Sequence, residues 1–190
     1  MERLQEQGPP AQQIWLPPLE DSPSLGDLLP PLTITSERGL RPAEWRELSL
    51  VVPIGIADIP VERRREVLSY DFSGQQGHAA VIGGPRSGKS TLLRTLVTAF
   101  ALTHTPREVQ FYCLDFEGGS LSSLGDLPHV GGVALRLDAA KVRRTVAEIR
   151  EILDQREEFF RAHHIDSIRT YRGRRAVRHY PDHLWGTSSC

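Results

Sequence analysis

The feature that most constrains this sequence is a glycine-rich run at residues 83–90, Gly-Gly-Pro-Arg-Ser-Gly-Lys-Ser. It fits the pattern G-x-x-x-x-G-K-[ST], in which glycines let successive backbone N–H groups turn towards phosphate oxygens. An apolar stretch at 78–82 precedes the run and a helical pattern at 92–100 follows it, as a strand–loop–helix unit requires. A match by composition alone is expected about once in a hundred chains of this length. The sequence therefore predicts a nucleotide-phosphate cradle.

Two residues of the loop carry the predicted chemistry. Lys89 is expected to neutralise charge on the β- and γ-phosphates, and the Ser90 hydroxyl is expected to hold Mg²⁺. The helix that follows directs its positive dipole end at the same anion. A nucleotide accompanied by Mg²⁺ is therefore the predicted ligand.

Composition argues against several classes of protein. With 39% apolar and 25% charged residues among 190, the chain has the composition of a one-domain soluble protein. Its net charge of −1 argues against a general nucleic-acid coat, which would be strongly basic. Cys113 and Cys190 lack metal-ligand spacing, and Cys113 is predicted to be a buried thiol. Because no apolar run reaches ~20 residues and Met1–Gln7 is polar, we expect a cytoplasmic protein without a membrane span or signal peptide.

The first 45 residues are rich in proline and are predicted to form an arm or interdomain linker. Trp15 and Leu16 in this arm either pack on the domain's own surface or dock a neighbouring module. Residues 46–186 are predicted to form the nucleotide-binding domain, and residues 187–190 an atypical tail. Strands are expected at 48–56, 67–72, 79–82, 109–114 and 133–137.

The longest predicted helix runs from Ala139 to about Arg161, with Asp138 as its N-cap. Its apolar residues recur at helical spacing and define one predicted buried face: Val142, Val146, Ile149, Leu153 and Phe160. The charged residues opposite are predicted to be solvated: Arg143, Glu148, Glu151, Arg156 and Glu157. Because strands alternate with helices, the predicted fold class is α/β with a mainly parallel sheet.

Two further features admit alternatives. Asp115 ends an apolar strand, so it either organises Mg²⁺ as a Walker B residue or caps the Gly118-Gly119 loop. We favour the cap, because the next acid is not adjacent to Asp115. The basic segment 161–178 either contacts phosphates or forms exposed helix ends, and the second outcome is the commoner one.

Strings outside the loop extend the pattern: Trp15–Leu19, Val52–Asp58, Leu102–Pro106, Phe111–Phe116, Leu127–Gly132, Arg143–Glu148 and Ile165–Ser167. With the phosphate loop they resemble the EccC ATPases, the FtsK/SpoIIIE-type motors of type VII (ESX) secretion. The similarity covers about residues 14–175, and it is greater to the second or third module of the tandem array than to the first. The phosphate loop alone would indicate only a nucleotide-binding superfamily.

The resemblance implies a RecA-like P-loop NTPase domain with ATP and Mg²⁺ as ligands. It also implies partners, namely other EccC modules, secretion-complex subunits and helical-hairpin ESX substrates, and a cytoplasmic location peripheral to the inner membrane. The ATP-binding set it implies is Gly83, Gly84, Pro85, Arg86, Ser87, Gly88, Lys89, Ser90 and Thr91, with Ser90 as the Mg²⁺ contact. Catalytic residues stay unknown, because the family's Walker B strand would follow residue 186.

The expected function is therefore that of an ATP-binding module that hydrolyses ATP poorly and is incomplete at its C-terminal end. One alternative is a non-catalytic interaction piece of the secretion complex, acting through the proline-rich arm. The other is a fragment of an FtsK-like DNA translocase, against which the net charge of −1 counts.

The resemblance also predicts which strands are not neighbours. In RecA-like sheets the Walker B strand and its successor lie between the phosphate-loop strand, here 79–82, and the strand at 109–114. Both intervening strands would come from sequence beyond residue 186. We therefore expect unpaired edges on these two strands and uncovered apolar faces on the helices at 92–100 and 142–160.

The tail Thr187–Cys190 departs from the family pattern and generates a prediction about the gene. A family member is expected to continue after Gly186 with Asp-Val-Phe-Leu, for which GAC GTC TTC CTG C is one coding sequence. Read one base late, it encodes Thr-Ser-Ser-Cys, the observed ending. This agreement indicates a one-base shift of the reading frame near Gly186, and the alternative is coincidence, since four residues is a short match. We expect the other reading frame of the gene to encode an apolar strand ending in aspartate, and a frame without one would refute the shift.

Overall fold

Helices and strands of the protein are given by a computed structural model that describes residues 16–19, 21–36, 39–43, 50–73 and 77–175. The first half holds α1 (Leu25–Leu28), β1 (Leu32–Thr35), β2 (Gly39–Pro42), β3 (Val51–Ile59) and β4 (Arg64–Asp71). The second half holds α2 (Lys89–Thr103), β5 (Phe111–Asp115), β6 (Val130–Leu135), α3 (Ala139–Ala162) and α4 (Ile168–Arg175).

The strands of the first half form two antiparallel hairpins. Strand β1 pairs with β2, and β3 pairs with β4 in a ladder from Val51–Asp71 to Ile59–Arg64. A short 3-10 turn at Pro60–Glu62 joins β3 to β4, and Arg63 closes it in the left-handed conformation, at φ 50°. Strand β3 ends three residues after its predicted end and β4 begins three residues before its predicted start, because antiparallel pairing carries the ladder to the tip of the hairpin.

The part of the predicted arm that the structure describes contains regular elements. Helix α1 and strands β1 and β2 all lie within residues 1–45. Leu28 and Leu29 are buried, α1 contacts β3, and β2 contacts α2. The Arg65 guanidinium on β4 also donates a hydrogen bond to the Pro17 carbonyl. This part of the arm packs on the chain's own domain, whereas Trp15 lies outside the described residues.

Helix α2 is held against β3 by an aromatic core. Val52, Ala99 and Phe100 are buried together. The Phe100 ring lies 5.7 Å from the ring of Phe72 and 5.7 Å from that of Phe111. Burial of one such ring contributes about 1.5–3 kcal/mol to the free energy of folding. This cluster fixes the C-terminal half of the helix that carries the phosphate loop at its other end.

Strands β5 and β6 form the one parallel pair among the described residues. The prediction of a mainly parallel sheet is therefore wrong for this part of the chain, where two of three strand pairs are antiparallel. Strand β6 begins at Val130, three residues before its predicted start. Parallel strands require a long connection, because the chain must return to the end at which the first strand began. Here a loop of fourteen residues, including a 3-10 turn at Ser122–Leu124, returns the chain to the start of β5.

The segment before the phosphate loop does not form the predicted strand at 79–82. Residues 77–84 have no ladder partner in the described part of the chain. Ile82 is 94% exposed and Val81 is 38% exposed, although both are apolar. A single extended segment cannot satisfy its own backbone groups, so a strand here requires a neighbour. Because the segment forms no strand, the predicted separation of a strand at 79–82 from β5 stays a prediction.

Helix α3 begins as predicted, but its buried face differs. The Asp138 carboxylate accepts a hydrogen bond from the Lys141 N–H at 2.9 Å, which confirms the N-cap. The buried residues of α3 are Thr145, Ile152 and Phe159. Of the predicted face, Val146 and Leu153 are 51% and 52% exposed, because only part of the apolar stripe is covered by β5 and β6. Arg156, predicted to be solvated, is half-buried, and burial lowers the pKa of its guanidinium.

These exposed apolar groups generate a stability prediction. We expect the isolated 190-residue chain to self-associate and to unfold without a sharp transition, since unpaired strand edges and uncovered apolar faces favour aggregation. Size-exclusion chromatography and a thermal melt measure both properties. Extending the chain through the strands that the resemblance places after residue 186 is expected to give a cooperative transition that ATP raises. A monomer of the present chain with a sharp, reversible melt would contradict this prediction.

Candidate functional site

The phosphate loop is an exposed turn at the N-terminus of α2. Residues 83–88 are exposed, and Lys89 and Ser90 are half-buried in the first helical turn. Gly88 is the N-cap at φ 89°, a left-handed conformation that glycine adopts at low cost, and no side chain caps the helix. In this part of the structure the backbone N–H groups of Lys89, Ser90 and Thr91 donate no hydrogen bond. The positive end of a 15-residue helix is therefore open to an anion.

The Lys89 side chain folds over the loop. Its Nζ atom donates hydrogen bonds to the Gly83 carbonyl at 3.0 Å and the Gly84 carbonyl at 2.8 Å. An ammonium group has three N–H donors, so at least one stays available for a phosphate oxygen. The two carbonyls thus hold the positive charge against the loop that precedes α2.

Gly83 and Ser87 lie close together across the turn. A Cβ atom placed on Gly83 would lie 2.4 Å from Ser87 Oγ and 3.1 Å from Ser87 Cβ, so an added side chain would require the Ser87 side chain to move. Gly84 has open space around its Cβ position. The Ser87 N–H donates to the Gly84 carbonyl at 3.4 Å, and Arg86 adopts φ 58° at the bend. The sequence pattern predicts glycine at Gly83, but only the structure shows its close approach to the Ser87 side chain.

These features fit a nucleotide phosphate with its magnesium ion. Free N–H groups and a lysine ammonium match the oxygens of a polyphosphate. The Ser90 hydroxyl, in the first turn of α2, supplies the neutral oxygen ligand that Mg²⁺ accepts beside phosphate oxygens. The predicted residues of the loop, Gly83 to Thr91, are thus brought together in one turn.

Asp115 is a loop-organising carboxylate. Its side chain is 6% exposed, and its oxygens accept from the Leu121 N–H at 2.9 Å and the Glu117 N–H at 3.2 Å. These backbone hydrogen bonds, with smaller ones from Gly118 and Gly119, lower the pKa of Asp115. The interpretation as a cap of the glycine loop is confirmed. Since both oxygens are engaged by this loop, no described contact supports a role of Asp115 in holding Mg²⁺.

The basic segment closes the end of α3. The Arg174 guanidinium on α4 donates to the carbonyls of His163 at 3.1 Å and His164 at 3.3 Å. A cation is stabilised there because these carbonyls lie at the negative end of a long helix. Phe159, Ile165 and Tyr171 form a small core beneath this contact. The described part of the segment thus serves helix packing, while Arg178 and His179 lie outside the described residues.

Sequence reasoning missed a buried histidine pair. His129 is 5% exposed, and its Nε2 donates to the His104 carbonyl at 2.8 Å. His104 in turn places Nδ1 2.8 Å from Thr103 Oγ1 at the end of α2. The pair ties the loop before β6 to the C-terminus of α2. No sequence signal identifies it, because 25 residues separate His104 from His129 along the chain.

Two further predictions concern single residues and membranes. Cys113 is buried as predicted, and burial raises the pKa of its thiol, with the Asp115 charge adding to the effect. Among the described residues, no helix combines the length and apolar character that crossing a membrane requires.

Comparison with protein families and curated proteins gives consistent matches. The family model described as FtsK/SpoIIIE family matches residues 40–183. An ESX secretion system protein EccC from Thermomonospora curvata is 52% identical over 180 residues, covering 94% of this chain and 14% of that protein. The ESX-4 protein EccC4 from Mycobacterium tuberculosis is 48% identical over 176 residues, covering 93% of this chain and 13% of that protein. The chain therefore spans about one seventh of the length of these relatives.

Solved structures give the same result. The cytoplasmic domain of the T. curvata type VII secretion ATPase EccC superposes with a TM-score of 0.82 at 51% identity, covering 94% of this chain and 21% of that one. ATPases 2 and 3 of T. curvata EccC, solved with a signal sequence peptide, superpose with a TM-score of 0.80 at 52% identity. That match covers 87% of this chain and 30% of that one. The fold is thus that of a P-loop NTPase domain, as predicted.

The short distance between Gly83 and Ser87 predicts that substitution of Gly83 affects nucleotide binding. We expect Gly83→Ala to weaken binding of a fluorescent ATP analogue, because the new methyl group would displace the Ser87 side chain within the loop. Gly84→Ala, where the Cβ position is open, is the matched control and is expected to retain more affinity. Equal losses in the two variants would show that the contact with Ser87 does not shape the loop.

The hydrogen bonds of Asp115 predict that its substitution loosens the loop at 117–121. In Asp115→Asn an amide N–H₂ replaces one acceptor, so we expect the Leu121 amide to lose roughly ten-fold or more of its protection from hydrogen exchange. Because the folded-state pKa of Asp115 is lowered, its stabilising effect is present above about pH 4 and is lost as the pH falls through that lowered pKa. Asp126→Asn, at an exposed position of the same loop, is the control. Unchanged protection in Asp115→Asn would contradict the assignment.

Proposed function

The chain belongs to the FtsK/SpoIIIE family, and from this premise we propose that it is an ATP-binding part of a type VII (ESX) secretion motor ATPase. The observation that carries the proposal is the loop at 83–88, with Lys89 folded over its carbonyls and free N–H groups at the start of α2. In this proposal, Gly83 to Thr91 form the ATP cradle. The identity to the solved pair of ATPases 2 and 3 supports a place among those modules.

The residues of the loop divide the work of holding the nucleotide. Bound Mg²⁺ would neutralise phosphate charge, and Ser90 would hold it through the side-chain hydroxyl. The N–H groups of the first turn of α2 orient the phosphates, and Lys89 places a positive charge beside them. Gly83 and Gly88 allow the backbone to approach the anion, because neither carries a side chain.

We propose that this chain binds ATP but hydrolyses it poorly. Hydrolysis requires a group that positions the attacking water and an acid that organises the metal, in addition to a phosphate cradle. Asp115 is the acid at the end of a described strand, and its oxygens are engaged by the backbone of the loop at 117–121. Nucleotide affinity and turnover are therefore expected to be separate properties of this chain.

The partners of this module are proposed from the relatives. EccC from T. curvata was solved with a signal sequence peptide, which supports secreted substrates of the helical-hairpin class as cargo of the assembled motor. Other EccC modules and secretion-complex subunits are the proposed neighbours, at the cytoplasmic side of the inner membrane. A non-catalytic interaction role is the second candidate, and loss of assembly on deleting residues 1–45 would favour it. The bond from Arg65 to Pro17 favours the arm packing on its own domain instead.

A substitution at Lys89 tests the proposal. We expect Lys89→Ala to weaken binding of a fluorescent ATP analogue by about ten- to a hundred-fold, because a charge-assisted contact worth roughly 1.5–3 kcal/mol is lost. Arg94→Ala is the matched control, since Arg94 is an exposed cation on the same helix outside the loop. Phosphate release is expected to stay near background in all three proteins. Equal affinity of the wild type and Lys89→Ala would show that the loop does not bind the nucleotide through Lys89.

A further inference from the structure

The phosphate loop contains a tight turn whose backbone conformation disagrees with its sequence. The Ser87 N–H donates to the Gly84 carbonyl at 3.4 Å, which closes a β-turn with Pro85 and Arg86 as its central residues. Arg86 has φ 58°, and the proline ring fixes a negative φ at the position before it. A turn with negative φ at its second residue and positive φ at its third residue is of type II.

The third position of a type II turn favours glycine or asparagine. A residue with a Cβ atom is disfavoured there, because the left-handed conformation brings Cβ close to the following carbonyl oxygen. Glycine would therefore suit this turn better than Arg86 does. Proteins retain such strained residues mainly at functional sites, where the side chain has a use that offsets the backbone strain. The turn itself gives no reason for an arginine at position 86.

The Arg86 side chain has no partner within the described part of the chain. Residue 86 is exposed, and its guanidinium makes no hydrogen bond or ion pair there. The surrounding sequence does not supply an acid, because none occurs between Asp71 and Glu108. Lys89, three residues further along, is held by two neutral carbonyls. The described loop therefore carries two positive charges that no carboxylate neutralises.

These two cations lie on one compact loop. A Cβ atom placed on Gly83 would lie 2.4 Å from Ser87 Oγ and 3.7 Å from Lys89 Cγ, and Arg86 adjoins Ser87. Like charges on so small a loop repel each other, and a bound polyanion replaces this repulsion with attraction. The phosphate chain of a nucleotide at the start of α2 is such a polyanion. An arginine guanidinium can bind two of its oxygens at once.

We propose that the guanidinium of Arg86 binds the phosphate chain of the nucleotide and is the second cation of the cradle beside Lys89. Because Arg86 acts in the proposed nucleotide site, this role rests on the proposed function. The loop pattern leaves position 86 open to any residue, so the pattern does not assign this contact. Contact with the phosphates offsets the strain of the turn once the nucleotide is bound.

The test measures the affinity of the full 190-residue chain for a fluorescent ATP analogue with Mg²⁺. Arg86→Gly removes the charge and at the same time suits the turn. We expect this variant to bind the analogue about tenfold more weakly than wild type, as the loss of a charge-assisted contact predicts. A residue that only shapes the turn would give the opposite result, because glycine relieves the strain. Affinity equal to or greater than that of wild type would overturn the proposal and would favour an acidic group of another protein as the partner of Arg86.

Two further substitutions separate the charge of Arg86 from the shape of the turn. Arg86→Asn tolerates the left-handed conformation without a charge, and we expect the same loss of affinity as in Arg86→Gly. Arg86→Lys retains the charge but not the planar fork, and it is expected to bind more tightly than either neutral variant. Wild-type affinity in Arg86→Asn would show that the charge does not contribute to binding.

Salt dependence is a readout that a change of loop shape would not move. Interactions between exposed charges weaken as salt screens them. We therefore expect added salt to weaken binding by wild type more than binding by Arg86→Gly, and equal salt dependence would contradict a charge contact. Arg63→Gly is the matched control, since Arg63 is also an exposed arginine, at φ 50°, and lies at the tip of the β3–β4 hairpin. Its affinity for the analogue is expected to equal that of wild type.

Lys89→Ala distinguishes failure of the Arg86 assignment from failure of the proposed function. If Lys89→Ala weakens binding and Arg86→Gly does not, the loop binds the nucleotide and only the role of Arg86 is wrong. If neither substitution weakens binding, both the role of Arg86 and the nucleotide site at this loop are wrong.

Discussion

The packing of Phe100 against three separate segments is the interaction on which the described structure depends. Its ring contacts Phe72 after β4 and Phe111 at the start of β5, and its helix packs on Val52 of β3. These segments are far apart in sequence, so the cluster fixes the first-half hairpin and the parallel strand pair relative to one helix. The phosphate loop inherits this placement, because it is the N-terminal end of the same helix. Loss of that ring would remove the apolar group that joins these segments and would leave a cavity among them.

The second half is organised by polar contacts at the ends of its elements. Asp115 gathers the N–H groups of the loop after β5, Asp138 caps α3, and Arg174 neutralises the carbonyls at the end of α3. Each contact satisfies backbone groups that strands and helices leave unpaired at their ends. Some backbone groups of this part of the chain have no such contact. The outer edge of β5 and the segment before the phosphate loop lack such partners in the described residues.

Nucleotide binding and nucleotide turnover depend on different parts of this architecture. Binding requires a turn of backbone N–H groups, a lysine and a hydroxyl, and one contiguous segment supplies all of them. Turnover requires groups from other strands to meet the phosphates, which only the packing of a complete sheet achieves. Asp115, the one buried acid that ends a described strand, accepts hydrogen bonds from the backbone of the loop that follows it. The proposed separation of affinity from hydrolysis follows from this difference.

The sequence by itself determined the local units of this protein. The phosphate loop and the start of α3 at Asp138 depend on neighbouring residues, and both are where the pattern predicted them. The sequence segments that resemble the EccC family predicted the fold class. The tertiary structure alone decided which strands pair, which face of α3 is covered and that Arg156 is half-buried. Hydrophobic period identifies an apolar stripe, but burial depends on whether another element covers it. Residues 79–82 show this limit, since an apolar run becomes a strand only beside a partner.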